Sequence, residues 1–213
     1  MIINRKEEKR ILLYGFHFIK RGEQVLHLIN FNIHHFYLGS NDRKNPSTIS
    51  TSDSVDARNH LHLLRSTQTS GRTKDGLTIV PRFSVYFNLL PDQDVQRTKD
   101  FLLDLSNIFS AQNIYGELHK HLEDLIGKSI ISIWNTLIQE TNTEELTTPT
   151  EEGLPLVDEY IRKINIFLNE NSTEDIFNLP NRQIVNLPEG VHFLKKWKLL
   201  NLKVFLDTLW IEQ

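Results

Sequence analysis

Histidine is the residue type in this sequence whose spacing comes closest to a site for metal or acid–base chemistry. The chain has nine histidines, and His60 and His62 lie two positions apart. On a strand these two share one face with Asp56, and His27 on a neighbouring predicted hairpin is the nearest source of a third ligand. A zinc site needs three or four converging ligands, and the sequence shows no such convergence. We therefore assign no metal ligand.

The remaining histidine pairs do not complete a site. His34 and His35 are adjacent, so on a strand their side chains point to opposite faces. His119 and His121 lie about 200° apart around a helix, so only one of them can join a given cluster. These patterns are typical of surface or hydrogen-bonding histidines.

Recognisable catalytic motifs are missing from the sequence. It has no phosphate-binding glycine loop, no Gly-x-Ser-x-Gly and no His-Glu-x-x-His. Its acidic pairs lie in polar stretches where solvated carboxylates make poor acid–base catalysts, namely Glu7-Glu8, Glu144-Glu145 and Glu151-Glu152. We predict a protein that is not an enzyme, with no catalytic residue, no cofactor and no small-molecule substrate.

Composition sets further bounds on function. The chain has 213 residues, 39% of them hydrophobic and 24% charged, which is typical of a folded protein. Its formal net charge is −3, so no basic excess attracts a phosphate backbone, and we predict no nucleic-acid partner. The absence of cysteine excludes disulfides, thiolate metal sites and a cysteine nucleophile, and it fits a reducing compartment.

Membrane spans and a signal peptide are not predicted. No run of about 18 apolar residues occurs. The apolar run at 11–19 is interrupted by His17, is closed by Lys20-Arg21 and lacks a small-residue cleavage site. The run predicts a strand, and its aromatic and basic residues also fit a membrane-surface anchor through Phe16, Phe18 and Lys20.

Short apolar runs with polar punctuation predict strands in the first half of the chain. The runs at 11–19, 24–29 and 31–38 are separated by tight turns and predict a meander. A polar loop follows, and then a further strand at 55–67.

The clearest strand in the sequence is at 77–89, after an Asp75-Gly76 turn. Apolar residues alternate with polar ones there, which predicts a half-buried strand whose inner face carries Leu77, Ile79, Phe83, Val85 and Phe87. Pro81 cannot donate a ladder hydrogen bond, so a bulge or an edge is expected at that point.

Helical periodicity begins after this strand. Apolar residues recur at helical spacing over 95–109 and 114–140, and Gly127 inside the second helix predicts close packing against the sheet. The Thr- and Glu-rich stretch 141–153 predicts a linker or an extended loop. A shorter helix is predicted at 155–169, and a closing strand at 199–211.

Five local motifs occur in the order found in one known family. They are Gly22-Glu23-Gln24-Val25, Val55-Asp56-Ala57-Arg58, Thr73-Lys74-Asp75-Gly76 with its strand, the helix containing Gly127, and Gly190-Val191 before the last strand. Together they resemble the SPFH, or band 7, domains of stomatins, prohibitins and flotillins. Asp56, Arg58, Asp75, Gly76 and Gly127 carry the resemblance. The segment 141–188 is longer than the family connection, and the family's usual membrane segment and coiled coil are not seen.

The resemblance implies an α+β fold in which a curved, mostly antiparallel sheet has helices packed on one side. Residues 1–140 would form the band 7-like domain, 141–188 a linker and helical insertion, and 189–213 its closing strand. The implied function is a non-enzymatic scaffold on the cytoplasmic face of a membrane, which assembles laterally into homo-oligomers and organises membrane proteins. Besides Phe16, Phe18 and Lys20, the cationic cluster Lys195, Lys196 and Trp197 is a candidate contact for lipid or an acidic partner.

Two alternatives remain open. An unrelated α+β ligand-binding or accessory module would use the same elements. A metallo-hydrolase would require His60, His62 and a third ligand to converge.

Overall fold

The computed structural model describes residues 2–3, 9–11, 18–28, 31–39, 69–89, 95–111, 116–149, 155–169 and 200–212. Its strands are β1 (Ile2–Ile3), β2 (Lys9–Arg10), β3 (Gln24–Val25), β4 (His27–Leu28), β5 (His34–Leu38), β6 (Gly71–Arg72), β7 (Thr78–Leu89), β8 (Gly116–Glu117) and β9 (Leu200–Glu212). Its helices are α1 (Val95–Ala111), α2 (Leu118–Ile138), α3 (Thr143–Thr147) and α4 (Leu156–Asn169). The chain has an α+β fold, as the sequence predicts.

The main sheet is built around β7. The closing strand β9 pairs antiparallel with β7 along its whole length, while β5 and β6 pair antiparallel with different parts of it. β5 pairs with residues 83–87 and β6 with residues 78–79, so Pro81 lies where neither of them bonds to β7. This position tolerates a residue without an N–H group. The register with β9 shifts between Arg82 and Phe83, next to the predicted irregularity, and leaves Asp207 as an extra residue.

The alternation predicted for β7 is confirmed. Ile79, Phe83, Val85 and Phe87 are buried, whereas Tyr86 on the opposite face is exposed. Two positions depart from the prediction: Leu77 precedes β7 and is only partly buried, and Ser84 on the outer face is buried. The buried side packs against helices to form one core, which includes Phe101, Leu105, Leu122, Ile126, Ile130, Trp134, Ile164 and Phe167. The predicted helices are confirmed, and α2 begins at Leu118 rather than at residue 114.

Gly127 packs as closely against the sheet as the sequence predicts. A Cβ placed on it would lie 2.8 Å from Cδ2 of Leu38 on β5. Because any larger residue would overlap a buried leucine, glycine brings α2 close to the strand despite its cost in helix propensity.

The predicted meander is wrong. β3 pairs antiparallel with β1, and β4 pairs parallel with β8, so residues 24–28 of the second predicted strand do not pair with β5 or β7 in the main sheet. Val25 and Leu28 are exposed, so this segment has no buried face to set its register, and distant segments decide its pairing instead. Phe18 and Ile19, at the end of the first predicted strand, are not in a strand. The predicted strand 55–67 lies outside the described residues.

The prediction of a linker or extended loop over 141–153 is wrong at 143–147, where helix α3 forms. Glu145 accepts hydrogen bonds from the backbone N–H of Asn142 at 3.3 Å and from its side-chain amide at 2.7 Å. Thr141, Thr143 and Leu146 are buried. Part of the polar composition of this segment therefore serves capping and buried hydrogen bonding, while Glu144, Glu145, Thr147 and Thr148 are exposed.

Within the part of the chain that the structure describes, no helix is long and apolar enough to cross a membrane.

Candidate interaction surfaces

The outer face of the main sheet carries a cluster of aromatic side chains, which we call the aromatic face. Its members project from three neighbouring strands and are His35 and Tyr37 on β5, Arg82 and Tyr86 on β7, and Phe205 on β9. Tyr37 is 45% exposed, Tyr86 39% and Phe205 50%. Large rings left half in solvent on adjacent strands are typical of a binding surface.

Ring contacts make the aromatic face continuous. The imidazole of His35 stacks on Tyr86 with 4.3 Å between centroids, and Tyr86 meets Phe205 edge-on at 5.9 Å. The guanidinium of Arg82 lies 4.3 Å from the centroid of the Tyr37 ring. These contacts restrict the side chains before any partner arrives, which lowers the entropic cost of binding.

Asp207 holds the centre of this face together. Its carboxylate accepts a hydrogen bond of 2.7 Å from Oγ of Ser84 and lies 3.9 Å from Nε of Arg82. Asp207 is the extra residue of the bulge in β9, so the bulge directs an acid towards a cation on the neighbouring strand. This arrangement fixes the positions of an acid, a hydroxyl and a cation at the centre of the aromatic face.

A second group of exposed apolar side chains occurs between residues 18 and 33, and we call this group the N-terminal apolar surface. It contains Phe18, Ile19, Val25, Leu28 and Ile33, all exposed. Phe18 is 95% exposed and Ile19 51%, directly before the exposed cations Lys20 and Arg21. Large apolar side chains are costly to leave in water, which makes this group a candidate contact for a partner.

A tight turn positions the apolar end of this surface. The backbone N–H of Glu23 donates to the carbonyl of Lys20 at 2.9 Å, and the backbone N–H of Lys20 donates to the Glu23 carboxylate at 2.7 Å. Gly22 has a φ of 90°, which a side chain would disfavour. The turn therefore presents the apolar pair and the cations together.

Two of the membrane-contact residues predicted from the sequence lie on this surface. Phe18 and Lys20 are exposed, as a contact role requires. The other predicted contacts, Phe16, Lys195, Lys196 and Trp197, lie outside the described residues, as do Asp56 and Arg58.

The Asp75-Gly76 turn has a structural role. The carboxylate of Asp75 accepts the backbone N–H of Thr143 at 3.1 Å and its hydroxyl at 3.0 Å. The Thr73 hydroxyl beside it and these two Thr143 groups hold the pKa of Asp75 below its ordinary value of 3.8, against the opposing effect of desolvation. Asp75 thus joins the turn before β7 to the start of α3, and Gly76 adopts a φ of 85°.

Further polar contacts tie this turn to the helices. The backbone N–H of Lys74 donates to the carbonyl of Thr141 at 2.9 Å, and the hydroxyl of Thr141 lies 2.6 Å from that of Tyr160 on α4. Burial raises the pKa of Tyr160 above 10.0, although the Thr141 hydrogen bond opposes this shift. The phenol therefore stays neutral at physiological pH.

The histidines do not form a metal site among the described residues. No group of three or more His, Cys, Asp or Glu side chains there could hold an ion. His34 stacks on His119 at 4.5 Å, whereas His35 stacks on Tyr86, which confirms that the two neighbours face opposite ways. His60 and His62 lie outside the described residues.

Sequence reasoning missed two features. The first missed feature is the aromatic face, because strand alternation was used only to predict the buried residues. The aromatic residues Tyr86 and Phe205 at outward-facing strand positions were the available signal for it. The second missed feature is the pair Asn165 and Asn169, which lies within an amphipathic helix. Two asparagines four residues apart in a helix, where asparagine has a poor propensity, were the available signal. Both asparagines bond to the backbone of β9.

The comparisons with known proteins add no relative to this picture: no family model, no curated protein and no solved structure matches the chain.

Proposed function

We propose that this chain is a non-enzymatic scaffold domain that lies on an anionic membrane surface and assembles there with further copies and with membrane proteins. The observation that carries the proposal is the segment 18–21, where a phenylalanine that is 95% exposed and a half-exposed isoleucine precede two cations at the start of the turn. The likeness of the sequence motifs to band 7 domains supports the same role.

The chemistry of this turn suits the boundary between headgroups and acyl chains. Phe18 and Ile19 can enter the apolar region, while Lys20 and Arg21 remain beside anionic headgroups. Neither a nucleic acid nor a small polar substrate would need the two exposed apolar side chains. The exposed residues Val25, Leu28 and Ile33 lie farther along the same segment.

Magnitudes indicate that one copy would bind weakly. Burying a large apolar side chain contributes about 1.5–3 kcal/mol, and each cation near an anionic surface contributes about 1 kcal/mol. The total from two apolar residues and two cations is about 5–8 kcal/mol, which corresponds to a dissociation constant between roughly micromolar and millimolar. Stable residence on the membrane then requires several linked copies, so lateral assembly is part of the proposal.

Vesicle co-sedimentation tests the membrane contact. We expect the full chain to bind vesicles of mixed phosphatidylserine and phosphatidylcholine and to bind less to phosphatidylcholine alone, with binding that weakens as salt rises. Phe18→Ser and Lys20→Glu should each reduce binding. Val95→Ser removes an apolar side chain that is 53% exposed on α1 and serves as the control.

Equal binding of Phe18→Ser and the unmodified chain would overturn the assigned contact. No binding of the unmodified chain to anionic vesicles at any salt concentration would overturn the membrane role itself.

A further inference from the structure

A straight row of side chains crosses the outer face of the main sheet. Tyr37 on β5 pairs in register with Ser84 on β7, and Ser84 pairs with Phe205 on β9. The row therefore runs perpendicular to three adjacent strands, with exposed rings at its two ends.

On each strand, the residue two positions before this row and the residue two positions after it complement each other in charge, in cation–aromatic character or in size. On β9, Lys203 lies on one side and Asp207 on the other. On β7, the ring of Tyr86 lies on one side and the guanidinium of Arg82 on the other. Residues two apart on a regular strand share a face, which places Lys203, Tyr86 and Arg82 on the outer face. Asp207 lies in the bulge, and its contacts with Ser84 and Arg82 place it on the same face.

β5 follows the same pattern by shape. His35 lies two residues before Tyr37, and Gly39, which has no side chain, lies two residues after it. A half-turn about the row would therefore place the imidazole of His35 opposite the backbone of Gly39, which carries no side chain.

We propose that a second copy of this chain docks on the aromatic face, with a two-fold axis along the row Tyr37–Ser84–Phe205. The inference rests on the scaffold role proposed above and names the surface through which two copies meet. In a two-fold interface each residue contacts the symmetry equivalent of its partner, so the surface must complement itself. This face does so in charge, in cation–aromatic pairing and in shape.

The half-turn specifies the contacts. Lys203 of one copy faces Asp207 of the other, and Tyr86 faces Arg82, each contact occurring twice. Tyr37 and Phe205 lie on the axis and meet their own equivalents, which suits aromatic pairs. Because the axis is perpendicular to the strands, the strands of the two copies run antiparallel to each other, as in an aligned stacking of two sheets face to face, and the three strands of each copy enter one interface.

The mixed charges of the face favour a second copy over a lipid or a nucleic acid. Asp207 is exposed near the centre of the face. It would repel a phosphate, whereas in the two-fold arrangement it meets a lysine. Such complementarity steers association and fixes the register of an interface.

Sedimentation velocity on the lipid-free full chain tests the proposal. We expect a monomer–dimer equilibrium between about 1 and 100 µM, the range of a modest interface. Lys203→Asp places two like-charge contacts in the dimer and should weaken it about tenfold or more. Asp207→Lys should weaken the dimer to a similar extent, because each new lysine then faces Lys203 of the other copy. An equimolar mixture of the two variants should recover the dimer, because each new acid then faces a new lysine.

Further variants keep the test decisive if Asp207→Lys fails to fold, since Asp207 also bonds to Ser84. Phe205→Ser removes a half-exposed ring on the axis and should abolish the dimer, whereas Val95→Ser should leave it intact. Circular dichroism verifies folding in each case.

A strictly monomeric chain at 100 µM, about the upper end of the tested range, would overturn the proposal. A dimer that is unaffected by Phe205→Ser and Lys203→Asp would also overturn it. The result is independent of membrane binding, because Phe18→Ser should leave the lipid-free dimer unchanged while it reduces vesicle binding.

Discussion

Asn169 forms a two-point hydrogen bond with the peptide backbone at Leu202. Its Nδ2 donates to the carbonyl of Leu202 at 2.7 Å, and its Oδ1 accepts the backbone N–H of the same residue at 2.9 Å. Asn165 makes the same pair with Val204, at 2.8 and 2.7 Å. One helix thereby takes the place of a neighbouring strand along part of β9.

The four-residue spacing of the asparagines on α4 matches the two-residue spacing of their partners on β9, because the two elements rise by similar distances over these intervals. Four helical residues rise about 6 Å, and two strand residues rise about 6.6 Å. Asparagines four apart on α4 thus match peptide groups two apart on β9. A strand edge left open is a template for unwanted pairing, so these amides also protect the sheet.

Substitution of these asparagines should destabilise the protein without changing its fold. Asn165→Ala and Asn169→Ala each leave a backbone N–H and C=O without a partner, and we expect a loss of about 1–3 kcal/mol in the free energy of unfolding for each. Urea denaturation measures this loss. Gln139→Ala removes an exposed amide and should change stability by less than about 0.5 kcal/mol. Equal, small effects in all variants would contradict the bonding assigned to α4.

Asp75 should make stability depend on acid pH. Its pKa is lowered in the folded state, so its contribution is complete above its unfolded pKa of about 3.9 and is lost as the pH falls through the folded value. Unfolding experiments between about pH 2 and 5 should therefore show a flatter pH profile for Asp75→Asn than for the unmodified chain. Lys74→Gln retains the carboxylate and should keep the original profile. Parallel profiles for Asp75→Asn and the unmodified chain would rule out this role.

Two glycines with positive φ should respond differently to the same substitution. Gly76 has a φ of 85° and no atom within 4 Å of an added Cβ, so Gly76→Ala should cost only the conformational penalty of about 1–2 kcal/mol. Gly39 has a φ of 104°, and its Cβ would lie 2.5 Å from the carbonyl oxygen of Pro81. Gly39→Ala should therefore cost about 1–3 kcal/mol more than Gly76→Ala. Thermal and urea unfolding compare the two, and equal losses would disprove the close approach at Gly39.

Trp134 should tolerate phenylalanine. It is fully buried against Phe83, with ring centroids 5.4 Å apart, and its indole Nε1 has no hydrogen-bond partner among the described residues. Trp134→Phe loses packing but also removes a buried donor that costs about 1–3 kcal/mol, so the net loss should stay below about 1.5 kcal/mol. Trp134→Ala should cost about 3–5 kcal/mol in urea denaturation. If the phenylalanine variant were as unstable as the alanine variant, the indole N–H would have to contribute a bond.

Long periodic segments could be predicted from sequence. The alternation at 77–89, the helices at 95–109 and 155–169, and the closing strand at 199–211 all appear in the structure within a few residues. The close approach at Gly127 was also predictable, because a glycine within an apolar helix stripe has few other uses. These features depend on the spacing of neighbouring side chains, which a sequence displays directly.

Short and polar segments could not be predicted in the same way. Strands β3 and β4 have two residues each, too few to show a period, and their partners lie far along the chain. The helix at 143–147 is polar by composition and depends on Asp75, which precedes it by 68 residues.

By itself, the sequence determined the α+β class, the faces of β7 and the positions of the main helices, since hydrophobic periodicity is a local property. Only the tertiary structure decided which strands pair, where the bulge directs Asp207, and how Asn165 and Asn169 cover β9. It also brought His35, Tyr86 and Phe205 onto one face from three separate segments. Such contacts depend on the register between distant segments, which the burial of the whole core selects and which no local pattern encodes.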